Sequence, residues 1–389
     1  MKLFYLGYDA ATAVLGTELF EQLPEHEAVL KSKNKEEQPT GELFSMAIAS
    51  KPVIETIRKK RQFLSFSDSR SEAAFFACYM TSFYQEFLRR RGIWHVIKEN
   101  QDSINKNPWE IVTLVDELTS YFDTNRTFAD PGDDGKKNLT AVSRHQAWIA
   151  VLNEMVGARR STSLVSMGIL DFSYKGNNPQ LMTAVANKYG KSIEDVVALF
   201  HLLVMDLVYN GALEGEGVNL TDDDREYIYY TAPPRRFVKC KQSESERKKN
   251  GLSGWIPRRK SNGGSFKNGR VKRTMQVLGI SEEEAIDLLS QFWDVVLLQS
   301  EFSMTHDSGA EYHISTNRFV VKVGSEDLPV FVCEKCGKTT MTNCQERCVS
   351  IKCDGKLRRI SHEELLSENH FARLYATEQM HPMHIKEHT

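Results

Sequence analysis

Five of the seven cysteines fall between positions 333 and 353, and their spacing constrains this chain more than any other feature. Cys333-Glu334-Lys335-Cys336-Gly337 is a knuckle: two sulfurs meet across a tight turn, and the glycine gives the backbone room to close round an ion. Cys348 and Cys353 follow, so the arrangement C-x2-C-x11-C-x4-C can wrap one tetrahedral ion. Four thiolates favour zinc over harder metals, with iron the minor competitor. A site filled by four sulfurs has no position left for a catalytic water, so its role is structural. Such a site supplies about 10–16 kcal/mol of apparent binding energy, enough to fold a ribbon that has little core. Cys344 is the spare: put in place of Cys348, it gives a C-x8-C pair that closes awkwardly. Reduced, unliganded thiols are the alternative reading. Cys78 and Cys240 stand alone, and Cys78 reads as a small buried hydrophobe in a helix. Seven cysteines in 389 residues make no disulfide scaffold.

A second local pattern lies at residues 63–92. Phe63 to Phe66 is a short apolar run that reads as a strand, and Ser69 with Glu72 forms a capping box opening a helix. The helix is expected to run to Leu88, with Arg89, Arg90 and Arg91 in its last turn and Gly92 as its left-handed stop. A polar turn ahead of a helix N-terminus offers free N–H groups to a phosphate, and Arg70 adds charge there. Most such turns bind nothing.

Elsewhere the N-terminal part reads as helices, at Val14 to Leu23 and from Met46 to Ile57, around a polar loop at 30–41. Residues 99–230 read as mainly helical: mixed helix over 99–126, an amphipathic helix over 141–158, and a capped helix from Ser192 to Asn210-Gly211. Gly190-Lys191-Ser192 and Gly337-Lys338-Thr339 imitate the end of a phosphate-binding loop. Each lacks the earlier glycine, with Val185 and Val332 in those places, so both are decoys.

Residues 235–273 carry 14 Lys and Arg against Glu244 and Glu246, while the whole chain is at −2, so the positive charge is local. Glycine, serine and asparagine abound there, which reads as a flexible loop. Cations neutralise phosphates and interleaved aromatics stack on bases, so Trp255, Arg258, Arg259 and Lys260 are the nucleic-acid candidates. A solvated linker is the competing reading. Next come a short helix around Met275 to Leu278, Gly279 at a turn, and a helix opened by Ser281-Glu282-Glu283-Glu284 that continues to Leu297. Strands at 311–314 and 318–323 complete a winged-helix order, which a generic helical hairpin followed by a β-hairpin also satisfies.

The segment Arg61 to Phe76 resembles the motif IV region that opens the second RecA-like domain of large DEAD/DEAH-box superfamily 2 helicases, those with a cysteine-bearing C-terminal domain common in bacterial anti-phage defence loci. Cys333 to Leu357 is similar to the zinc-ribbon insertion of the same family, and Asn369 to Tyr375 looks like the point where that chain re-enters the motor domain. The resemblance implies an α/β protein with a mainly α insertion. Its parts are a partial RecA-like domain (1–98), a helical insertion (99–234), a basic loop (235–272), a winged-helix-like segment (273–324), a zinc ribbon (325–360) and a re-entry tail (361–389). It implies Ser67 and Arg70 as phosphate or motor-domain contacts, structural zinc on Cys333, Cys336, Cys348 and Cys353, and single- or double-stranded DNA as partner. The remaining helicase domains, or a split-gene partner, would complete the motor.

The sequence contains no P-loop, no Asp-Glu-Ala/Cys-His box and no arginine-finger motif. Phosphoryl transfer needs those groups. The chain is therefore expected to be inactive alone, with ATP bound only in a complete helicase. A standalone zinc-ribbon and winged-helix adaptor for nucleic acid is the alternative, and a zinc-stabilised protein-interaction module the third reading. Apolar and charged contents of 41% and 26% are those of a globular protein with room for two or three domains. No apolar run is long enough to cross a membrane, and Asp9 interrupts the Met1–Leu6 run early, so a cytoplasmic chain is expected.

Overall fold

The computed structural model describes residues 26–29, 57–60, 70–129, 139–157, 162–176, 178–215, 217–229, 237–241, 252–257, 268–304, 312–325, 328–367 and 369–376. It is a mixed helix-and-sheet protein of two compact units, residues Met1–Gln85 with Met383–Thr389, and Glu86–Pro382. Among the described residues no helix is long and apolar enough to cross a membrane.

The first unit contains an antiparallel pair, β1 (His26–Val29) and β2 (Ile57–Lys60), in the register His26↔Lys60 to Val29↔Ile57. Ile57 thus opens a strand and does not end a helix. The strand expected at 63–66, the turn with Ser67 and the helices expected before Ile57 lie outside the described residues. Helix α1 (Arg70–Glu99) begins in this unit, with Arg70 as its first residue, and continues into the second.

The expected stop of α1 at Gly92 is not where the helix ends. A Cβ at Gly92 would stand 2.4 Å from Phe122 Cε1, so the glycine is there to admit a ring. Its backbone stays helical and the chain runs on to Glu99. The three arginines expected in the last turn therefore lie inside the helix, and all three are buried. Arg89 donates to Gln146 Oε1 at 2.6 and 2.8 Å and covers the Tyr227 ring at 5.0 Å. Arg90 pairs with Glu154 at 2.7 Å and donates to Thr162 Oγ1 at 3.0 Å, with Glu86 one turn back also in contact.

In the second unit the chain continues through α2 (Gln101–Lys106), α3 (Ile111–Thr124) and α4 (Leu139–Gly157). Strand β3 (Leu170–Tyr174), α5 (Pro179–Tyr189) and α6 (Ile193–Tyr209) follow. Helix α6 is the centre of this unit. From Ala198 to Val208 every residue is buried, as required of a helix packed on all sides, and it touches α4, α5 and β3. Ser192 fixes its start by accepting from Asp195 N at 3.0 Å. Gly190, at φ 60, ends α5 two residues earlier, so the Gly190-Lys191-Ser192 decoy is a helix–turn–helix joint.

Beyond β4 (Leu213–Glu214) and α7 (Asp222–Ile228) come β5 (Phe237–Lys239) and β6 (Leu252–Gly254). Next are α8 (Gly269–Leu278), ended by Gly279 at φ 72, and α9 (Glu282–Phe292), opened by the Ser281/Glu284 capping box. The helix expected to reach Leu297 changes pitch at Trp293 and continues to Glu301 as π-helical turns, with Trp293, Val296 and Leu297 buried. Strands β7 (Phe302–Met304), β8 (Tyr312–Ser315) and β9 (Phe319–Val323) follow.

The two strands expected to form the wing exist but do not pair with each other. β8 forms its hairpin with β7 and also joins β4 and β5, while β9 runs antiparallel to β3, Leu170↔Val323 to Tyr174↔Phe319. Finally β10 (Val330–Cys333) is the middle strand between β11 (Thr339–Thr340) and β12 (Leu357–Ile360), before α10 (His362–Ser367) and α11 (His370–Tyr375).

Candidate metal centre

The three-stranded ribbon presents its cysteines from two turns. Cys333 closes β10, and the turn after it is held by Gly337 N–H donating to Cys333 O at 2.9 Å, with Gly337 at φ 71. The second turn is held by Cys353 N–H on Ser350 O at 2.8 Å and Cys348 N–H on Gly355 O at 3.0 Å. The knuckles face each other, and the Sγ atoms of Cys333, Cys336, Cys348 and Cys353 all lie within 4.8 Å of one another. Cys336–Cys348 is 3.5 Å and Cys333–Cys353 is 3.9 Å. A disulfide needs about 2.05 Å. Sulfurs at the corners of a tetrahedron round a zinc ion stand about 3.8 Å apart, given a Zn–S bond of about 2.3 Å.

Details round the sulfurs fit the same geometry. The N–H groups of Ser350 and Gly355 point at Cys348 Sγ and Cys353 Sγ, each at 3.4 Å. A Cβ at Gly355 would lie 2.6 Å from Cys333 Sγ and 2.7 Å from Lys335 Cβ, so only glycine lets the chain pass the cluster there. Cys333 and Cys348 are buried with Leu357, and Phe331 packs on them. That is a very small apolar core for a ribbon, the situation in which a metal supplies the missing folding energy.

The thiols resist ionising together. Burial pushes Cys333 up, but the N–H groups of Cys336 and Lys335 and the thiols of Cys336 and Cys348 outweigh it and bring it down to about 7. Burial pushes Cys336 and Cys348 up, with the thiols of Cys333 and Cys353 adding to it at Cys336 and those of Cys336 and Cys333 at Cys348. Only a cation at the centre makes four thiolates compatible at these distances. Cys344 stands apart, fully buried, its thiol donating to Asp195 O at 3.9 Å and pushed up by burial to about 12.

The ribbon is fastened to the helical body at separate places. Thr339 Oγ1 donates to the carbonyls of Val165 (3.0 Å) and Ser166 (2.6 Å), and Met341 N–H to Asp171 Oδ2 at 3.1 Å. Gln345 Nε2 donates to Asp195 Oδ2 at 3.0 Å. Arg273 of α8 donates to Ser350 O at 3.0 Å and Cys353 O at 2.9 Å.

The nucleic-acid candidates fare differently. Trp255 is completely buried and cannot serve as an exposed stacking surface. Its Nε1 donates to Leu289 O at 2.8 Å, Arg270 covers its ring at 5.2 Å, and Trp293 lies 6.4 Å away. It anchors the chain before the basic residues and is part of the core. Arg270 itself pairs with Asp206 of α6 at 2.9 Å. Arg258, Arg259 and Lys260, like Ser67, lie outside the described residues, and only the backbone of Arg70 is described.

The part played by Arg270 and Arg273 was not read from the sequence, although a signal existed. They sit at helical spacing with Thr274 and Val277 on the buried stripe of α8, so the pattern placed both inward. Comparison of the chain with family models, with curated proteins and with solved structures finds no match.

Proposed function

We propose that this chain is a zinc-stabilised, DNA-contacting segment of an ATP-dependent helicase or translocase, without ATPase activity of its own. The observation that carries the zinc part is the tetrad of sulfurs within 4.8 Å, at separations suited to one tetrahedral ion. Cys333, Cys336, Cys348 and Cys353 would hold the metal, whose contribution is to fold the ribbon, since four sulfurs leave no open position for chemistry. DNA contact is supported by the positive charge concentrated in 235–273 of an otherwise acidic chain. The order α8, Gly279, α9 and the β7–β8 hairpin is compatible with a winged-helix-like element. The helicase assignment rests on the resemblance of residues 61–76 and 333–357 to that family.

A standalone nucleic-acid adaptor is the second reading, favoured by one observation: residues 86–382 form a compact unit with its own core round α6. The test is metal analysis of the purified chain, followed by fluorescence anisotropy with labelled single- and double-stranded DNA over a salt series. Zinc at one ion per chain, and binding that weakens steeply with salt and on charge reversal at Arg258, Arg259 and Lys260, is the expected result. Absence of metal, or of binding at low salt, would overturn the corresponding half. Robust ATP turnover by the chain alone would exclude both readings.

A further inference from the structure

Arg273 is among the most deeply buried large side chains of the second unit, 2% exposed, yet among the described residues no carboxylate lies within ion-pair distance of it. The contrast with its buried neighbours is sharp. Arg270, on the same helix, has Asp206 at 2.9 Å, and Arg90 has Glu154 at 2.7 Å. Among the described residues Arg273 has only the carbonyls of Ser350 and Cys353, and its Nε has no partner there. A guanidinium stays charged when buried, and a buried charge without a counter-charge is costly.

Both carbonyls belong to the loop that carries two of the four sulfurs, and Cys353 is itself one of the tetrad. The same Ser350 carbonyl accepts from Cys353 N–H at 2.8 Å, so Arg273 grips the hydrogen bond that shapes this turn. Close packing holds the loop on α8: a Cβ at Gly269 would stand 3.0 Å from Ile351 Cδ1. One divalent ion with four thiolates carries two net negative charges, and Arg273 faces that loop with an unmatched positive one.

We infer that Arg273 is a positioning residue of the metal centre: its buried charge balances the excess negative charge of the metal–thiolate cluster, and its two hydrogen bonds hold the Cys348–Cys353 turn in ligating shape. This rests on the zinc reading above. It assigns a partner to an otherwise uncompensated buried cation, and it predicts that charge matters at this position beyond hydrogen bonding.

The experiment compares zinc affinity, by competition with a chromophoric chelator, in the full chain and in Arg273→Lys, Arg273→Gln and Arg273→Met. Outer-sphere partners of metal ligands typically contribute about 10–100-fold in affinity. Arg273→Gln, which keeps a donor and loses the charge, and Arg273→Met, which loses both, are expected to bind zinc that much more weakly. Arg273→Lys, which keeps the charge, should recover most of the loss. Cobalt substitution should show the tetrathiolate absorption in the wild type and the lysine variant at matched metal concentration. If the glutamine variant binds as tightly as wild type, charge compensation is wrong, and the glutamine result decides even if the methionine variant fails to fold. Lysine and glutamine variants weakened alike would also overturn the inference. A wild-type chain that takes up no zinc fails at the earlier step, and overturns the metal reading together with this one.

Discussion

Replacing Gly92 by alanine separates two accounts of why a glycine follows three arginines. In an exposed helix interior the change is stabilising by about 1 kcal/mol, because alanine loses less backbone freedom on folding. At this position the added Cβ would stand 2.4 Å from Phe122 Cε1, 2.9 Å from its Cζ and 3.1 Å from Leu118 Cδ1. Phe122 and Leu118 are both fully buried, so neither can swing into solvent to make room. Overpacking of this kind costs about 1–3 kcal/mol. Set against the helix gain, the net expectation is a loss of about 0–2 kcal/mol. The assay is urea denaturation of the metal-loaded chain, read as a lowered midpoint at unchanged slope. A double-mutant cycle with Phe122→Leu makes the cause explicit. If the ring is what the methyl meets, shrinking it should return at least about 1 kcal/mol of coupling. A glycine acting only as a left-handed helix stop would make alanine costly whatever stands at 122, and the two changes would then add. Additivity, or a stabilised Gly92→Ala chain, would refute the packing argument.

Three further outcomes are expected. Glu154→Gln leaves the Arg90 guanidinium buried with its main counter-charge removed; breaking such a pair costs about 3–5 kcal/mol, here toward the low end because Glu86 remains, and an unchanged urea midpoint would contradict it. Gly355→Ala pushes a methyl to 2.6 Å from Cys333 Sγ. It should weaken zinc uptake in a chelator competition while helix content by circular dichroism is kept, and wild-type affinity would show that the close approach is not needed. Burial, with Lys322 adding to it, pushes the His201 imidazole down from 6.5 to about 3. Between those values the unfolded chain binds a proton that the folded chain does not, so stability falls as the pH drops through the window, by about 1.4 kcal/mol per pH unit. His201→Gln should flatten the dependence of melting temperature on pH from 6.5 downward, and an identical slope in both chains would count against the burial of a neutral ring.

What was legible in the sequence was what is local. Ser192 and Ser281 could be read as helix starts because a cap involves only the next three residues, and both accept the expected N–H. The cysteine tetrad was legible because two short spacings already fix which sulfurs can converge. Strand partners were not. The segments now seen as β8 and β9 were found, but nothing local says that β9 pairs with Leu170–Tyr174, some 150 positions earlier, or that β8 pairs with Phe302–Met304. Gly92 and Trp255 misled for a related reason. A glycine after cations and a tryptophan among cations each have a solvent-side meaning, and only tertiary packing shows that Phe122 fills the space beside one and that Arg270 and Trp293 cover the other.

The arginines also change how the basic stretch should be weighed. Arg270 and Arg273 are two of its 14 cations, and both are spent inside: one ties α8 to Asp206 of the central helix, the other ties it to the Cys348–Cys353 turn. Asn268, which caps α8, also donates to Trp255 O at 3.0 Å, and Arg270 donates to the same carbonyl at 3.2 Å. Positions 255 and 268 are therefore held together by the helix that also contacts the central helix and the cysteine loop. Charge that looked like a uniform footprint for phosphate is divided between structural bolts and the cations left for a partner. The salt dependence of any DNA binding should accordingly be carried by residues other than these two, because a guanidinium already committed to a carboxylate or to carbonyls releases no counterion when a phosphate arrives.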